Sequence, residues 1–196
     1  MYKIINNNIS ITRGETATYN VRLIDKTTGA PFVLPKTQAD KQLNKFVVSF
    51  SVRRSDYIKD GYAIKKIIEI KEDQYTLLND TEILEYGKLT GTEVWGDASV
   101  SNPKLKVLYK RKMATGEYDY RYWDGSEWLP YEFVIRFPFL YSDTSELSPK
   151  SYKYSMTIYG GNDLRLTEDN ELIRESIDYK KPLVDANFIV EADINE

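Results

Sequence analysis

The chain has 196 residues, with 27 Lys and Arg against 30 Asp and Glu for a formal net charge of −3, and it contains neither histidine nor cysteine. Composition therefore excludes Ser-His-Asp and Cys-His nucleophiles, His-ligated zinc, redox thiols and a disulfide framework, and leaves carboxylate, Lys and Tyr chemistry and oxygen-ligated cations. The small acidic excess gives no basis for a nucleic-acid surface; the one basic run, "KVLYKRK" at 106–112, reads as the wet face of a strand rather than a phosphate track.

The opening "MYKIINNNIS" has no basic start followed by an apolar core of leader length, and no apolar segment approaches the roughly 18 residues of a membrane span, so a soluble, unprocessed chain is expected. The length allows a full core, in one domain or in a domain carrying a large insertion. Sixteen tyrosines, with many Thr, Val and Ile, favour strands over helices.

"NISIT" (8–12) and "TATYNVRLID" (16–25) flank a corner at Arg13, Gly14 and Glu15, where glycine can take a positive φ that a side chain resists. After the corner Ala17, Tyr19, Val21 and Leu23 share one face and Thr16, Thr18, Asn20 and Arg22 the other, the pattern of a half-buried strand. "DKTTGAPFVLP" reads as a turn at Gly29 and Pro31 and then a short apolar strand ended by Pro35. The polar connector "KTQADKQLNK" has a helix-compatible composition. In "FVVSFSVRRS", Phe46, Val48, Phe50 and Val52 alternate with Val47, Ser49, Ser51 and Arg53, a second clear strand.

From about Asp56 to Pro130 the periodicity is weaker. "IKKIIEIKE" suits a strand or a short helix, and "TLLNDTEILEYGKL" offers an N-cap at Asp80 or Thr81, a helical turn and a stop at Gly87. "LKVLYKRK" and "YDYRYWDGSEWLPYEFVIRFPF" return to strand patterning, and Asp124-Gly125 between aromatic runs signals a hairpin with a primed turn. Later, "SYKYSMTIYGG" sets Tyr152, Tyr154, Met156 and Ile158 against polar neighbours before a Gly-Gly turn. "ELIRES" fits a strand or a helical turn, and "ANFIVEADI" closes the chain with Phe188, Val190 and Ala192 on one side. No repeat of fixed period is visible. The pattern predicts an all-β protein, an immunoglobulin-like or jelly-roll-type sandwich from 1–56 plus 133–196, with 57–132 as an inserted, hairpin-rich β segment.

The order of these pieces resembles the N-terminal β-sandwich of phage upper baseplate and related tail proteins. In that family an "I-x-R-G-D-T-A" corner opens the domain, and a "Y-x-Y-x-I" strand precedes a final "G-x-F-x-V-x-x-D-I" strand. Arg13, Gly14, Glu15, Thr16 and Ala17 match the first element, with Glu in place of Asp; Tyr152, Tyr154, Phe188, Val190, Asp193 and Ile194 match the later ones. The resemblance covers roughly 8–56 and 133–195 and leaves out the segment between. It implies a structural virion subunit of a tail or baseplate, made in the host cytoplasm and acting by assembly with other phage structural proteins as multiple copies in a symmetric array. It implies no catalysis and no cofactor. The alternatives are a carbohydrate- or receptor-binding module, with a cell-surface glycan as partner, and a head, neck or collar protein.

The aromatic hairpin supplies the interface candidates Trp123, Trp128 and Tyr131, which with Tyr118, Tyr120 and Tyr122 can anchor a subunit, stack on sugars or fill the insert's own core. Asp124 and Glu127 read as turn formers rather than a glycosidase pair. The acidic run "TEDNE" (167–171) lacks the Gly and distal Glu of a calcium loop, so no metal is expected.

Overall fold

The computed structural model describes residues 2–4, 8–25, 27–54, 61–71, 76, 78–86, 95 and 100–192. Among these residues the chain is nearly all β, with strands numbered here in chain order. Among the described residues the only α-helix is the single turn α1 (Tyr141–Thr144), and none of their helices is long and apolar enough to cross a membrane.

Two sheets share the main core. One is three-stranded, in the order β1 (Tyr2–Ile4), β3 (Ala17–Asp25), β12 (Val134–Phe139). The other is five-stranded, in the order β2 (Ile9–Thr12), β14 (Tyr179–Glu191), β13 (Lys150–Gly161), β6 (Lys45–Arg53), β7 (Tyr62–Ile70). Neighbours are antiparallel except β2, which runs parallel to β14. Period-two alternation delivers the core: Val21 and Leu23 from β3, Ile135, Phe137 and Phe139 from β12, and Tyr152, Tyr154, Met156 and Ile158 from β13 are all buried. Phe50 joins the layers, with its ring centroid 5.1 Å from Phe137 across the gap and 5.1 Å from Tyr154 within its own sheet. Such offset and edge-on rings add to the area they bury.

A four-stranded sheet follows the order β11 (Trp128–Pro130), β10 (Tyr118–Trp123), β9 (Leu108–Lys112), β8 (Ile83–Glu85). Its inner face has a second core of Val33, Leu78, Leu108, Tyr122 and Tyr131. The Tyr131 hydroxyl donates to the Phe32 carbonyl at 3.1 Å, tying this sheet to the turn after β3.

Several elements differ from the sequence reading. Residues 37–42 form a two-rung hairpin, β4 (Thr37–Gln38) and β5 (Lys41–Gln42), not helix. Ala39 and Asp40 both take positive φ, 48° and 65°, and the segment has no apolar stripe to hold a helix against the core. The run 32–34 is buried but irregular, with Phe32 N–H donating to the Leu23 carbonyl at 3.1 Å. Residues 83–85 are the strand β8, not a helical turn. The Asp80 carboxylate accepts from Glu82 N–H, a local turn that feeds an extended segment, and Gly87 lies outside the described residues. In "ELIRES" the structure takes the second of the two expected forms, a helical turn, as the 3-10 turn Arg174–Ser176.

Gly160 and Gly161 are not a turn but the end of β13. A Cβ at Gly160 would lie 2.6 Å from the Phe46 ring, and one at Gly161 2.4 Å from the Ser176 carbonyl oxygen, so close approach rather than φ selects glycine there. β14 ends at Glu191, which leaves Ala192 exposed; Asp193 and Ile194 lie outside the described residues. Finally, β7 lies within the segment assigned to the insertion, yet it pairs with β6 from Phe46↔Ile70 to Arg53↔Tyr62 as an edge of the main sheet. Residues 62–70, which the sequence reading places in the inserted segment, therefore belong to the main five-stranded sheet.

Candidate interaction surfaces

Alternation along β10 divides its side chains between two faces of the four-stranded sheet. Tyr120 and Tyr122 point to the inner core, while Asp119, Arg121 and Trp123 lie on the outer face. There Trp128 is central, its ring centroid 5.0 Å from Trp95, 5.1 Å from Tyr109, 5.2 Å from Tyr86 and 5.5 Å from Trp123. The guanidinium groups of Arg111 and Arg121 stand 5.1 and 5.7 Å from the Trp95 ring centroid. The Trp95 indole N–H donates to the Asp119 carboxylate, which also accepts from Arg121. Stacked cations and rings of this kind hold each other in place.

The interface candidates separate on this geometry. Tyr131 is 4% exposed and belongs to the inner core. Trp128 is half-buried by partners in its own chain, and Trp123, also half-buried, lies at the hairpin end of the cluster. The basic run 106–112 is not a uniformly wet strand face. Leu108, Tyr109 and Arg111 are buried, and Lys110 pairs with Glu85 at 2.9 Å.

Asp124 acts in the hairpin turn. Its carboxylate accepts from Ser126 N–H, Glu127 N–H and the Ser126 hydroxyl, and the two backbone donors hold its pKa below the usual carboxylate value. Asp124 N–H donates to the Glu127 carbonyl at 3.2 Å, so these two close the turn and its central residues are Gly125-Ser126 rather than Asp124-Gly125, with φ 111° at Gly125. The run 167–171 closes on itself through Thr167 N–H to Glu171 C=O and Glu171 N–H to the Thr167 hydroxyl, and the Glu171 carboxylate pairs with Lys65.

The Arg13-Gly14-Glu15 corner sits under α1. Gly14 has φ 73°, and a Cβ there would lie 2.9 Å from the Tyr141 ring. Gly14 N–H donates to the Thr144 hydroxyl at 3.0 Å, Arg13 N–H to the Glu191 carbonyl at 2.9 Å, and Glu15 N–H to the Thr12 carbonyl at 3.0 Å. Thr144 is completely buried. The Asp143 carboxylate accepts from Leu140 N–H at 2.6 Å and pairs with Lys66 of β7 at 2.7 Å. On this fixed support Leu140 is 55% and Tyr141 65% exposed. The sequence reading passed over both residues. The signal for them was "FPFLYSD", where a large apolar pair continues after the last inward position of the strand, Phe139.

No family model, no curated protein and no solved structure matches the chain.

Proposed function

We propose that the chain is a structural subunit of a bacteriophage tail or baseplate, which works by fixing neighbouring subunits and not by turnover. The observation that carries this reading is the Leu140–Tyr141 knob. Two large apolar side chains stand in water on a turn already immobilised by Thr144, Asp143 and Lys66. Exposed apolar groups on a rigid support reduce the ordering cost of association, and they recover their transfer free energy when a partner covers them. The order of the matching residues from both ends, Arg13 to Ala17 and Tyr152 to Val190, supports placement in a virion, with synthesis in the host cytoplasm and other structural proteins as neighbours.

For the scaffold we propose an immunoglobulin-like sandwich carrying an inserted segment. The order β2-β14-β13-β6-β7 over β1-β3-β12 supports that type over a jelly roll, because the first two strands divide between the sheets and β2 lies parallel on the last. The return of the chain to the three-stranded sheet at β12, after β8–β11, supports the insertion.

The test is a Leu140→Ala, Tyr141→Ala double variant expressed in place of the parent during phage growth. Both side chains are exposed, so the variant is expected to keep the parent's thermal stability and to be depleted from purified particles by about tenfold or more. Normal stability with normal incorporation would remove the proposal.

A further inference from the structure

A cleft of about 220 Å³ lies where the β10–β11 hairpin meets β3 and the turn that follows it. Tyr118 and Tyr120 form one wall, with ring centroids 6.4 Å apart and planes at 44°. Tyr118 is 41% exposed, although its neighbours along β10 are more covered. Gly29 also lines the cleft; a Cβ there would meet nothing within 4 Å, and its N–H is committed to the Asp25 carbonyl at 2.9 Å. At the rim Arg22 and Glu132 form an ion pair with both side chains about half exposed.

We infer that this cleft binds a single neutral sugar ring, with its apolar face against Tyr118 and Tyr120 and its hydroxyls on Arg22 and Glu132. Size is the first argument: drug-sized ligands occupy about 300–1,000 Å³, and this cleft holds one ring. Charge is the second. Arg22 and Glu132 neutralise each other, and the carboxylate of Asp119, from the same wall, is taken up by Trp95 and Arg121 on the outer face. An ionic ligand would have to break such pairs, whereas hydroxyl groups donate to the Glu132 carboxylate and accept from the Arg22 guanidinium without doing so. A proline-rich peptide suits aromatic grooves as well, but it offers few N–H donors for Glu132. The site is separate from the outer aromatic cluster and from the Leu140–Tyr141 knob, so it stands or falls independently of the assembly role.

The experiment is an amide chemical-shift titration of the full chain with glucose, galactose and N-acetylglucosamine to high millimolar concentration, beside a proline-rich peptide. At least one sugar is expected to give saturable shifts at Gly29, Tyr118 and Tyr120. Tyr118→Ala and Glu132→Gln, each with the parent's circular dichroism, are each expected to weaken that sugar about tenfold. If Tyr118→Ala misfolds, the exposed Glu132→Gln substitution decides alone. No saturable shift with any of the sugars, shifts confined to other residues, or saturation by the peptide alone would overturn the inference.

Discussion

At the scale of single residues, two kinds of glycine do different work. Gly14 combines a φ of 73° with the Tyr141 ring at 2.9 Å from a hypothetical Cβ, so Gly14→Val is expected to lower stability by about 1–3 kcal/mol in thermal unfolding. An unchanged midpoint would show that the corner tolerates a side chain. Gly161 has no positive φ, but its Cβ would meet a backbone carbonyl, which cannot rotate away as a ring can. Two titrations are also informative. The Asp25 carboxylate accepts from Thr28 and Thr27 N–H at 2.9 Å, which holds its pKa at about 2, below the ordinary 3.8. A lowered folded-state value means stability that is present above the unfolded pKa and lost as pH falls toward about 2. In acid titrations Asp25→Asn should therefore show a shallower loss of stability across that window. Burial pushes the Tyr154 hydroxyl from 10.0 up to about 12. The unfolded chain releases this proton first, so stability falls as pH rises between those values. Tyr154→Phe is expected to flatten that alkaline decline, and an identical slope would contradict the burial argument.

At the scale of elements, the strands that cover one core with one face were legible in the sequence. In β13 the period-two pattern names the buried residues individually, and in β3 it names Val21 and Leu23, because inversion of the register would expose them; β6 is instead buried on both faces, with Val47 and Ser51 covered as well as Phe46, Val48, Phe50 and Val52. The failures share a cause: they depend on what another element brings. β8 has only three residues and owes its extended form to parallel pairing with β9. The Gly160-Gly161 pair resembles a turn until Phe46 and Ser176 are seen against it. β7 carries two adjacent lysines that blur its alternation, yet Lys66 spans to Asp143 on α1 while Lys65 meets Glu171. The hairpin was legible as a hairpin, but the division of its aromatic residues between two faces required the neighbours on each side. That division gives a prediction. Tyr131→Ala, in the inner core, is expected to cost about 3 kcal/mol or more in chemical unfolding, whereas Trp123→Ala, half-buried at the end of the outer cluster, should cost clearly less. Equal losses would mean that the faces are not energetically distinct.

At the scale of the molecule, the fold presents the exposed pair Leu140 and Tyr141 where the N-terminal corner, the end of β12 and the edge strand β7 converge. Hydrogen bonds from Gly14 to Thr144 and the Lys66–Asp143 pair bind those three elements around one exposed pair of side chains. A pre-ordered contact of this kind suits the proposed role in a symmetric assembly, in which each subunit would meet its neighbour in the same register. The sequence marks the knob only by the apolar pair that continues "FPFLYSD" past Phe139, and its exposure is a property of the assembled ends of the strands. The measurement that tests the central claim most directly is a cryo-EM reconstruction of the phage particle of which this chain is proposed to be a part. The account predicts density for the chain in the tail or baseplate, with Leu140 and Tyr141 buried against a neighbouring subunit. A particle that lacks the chain, or one in which both residues face solvent in every copy, would contradict it.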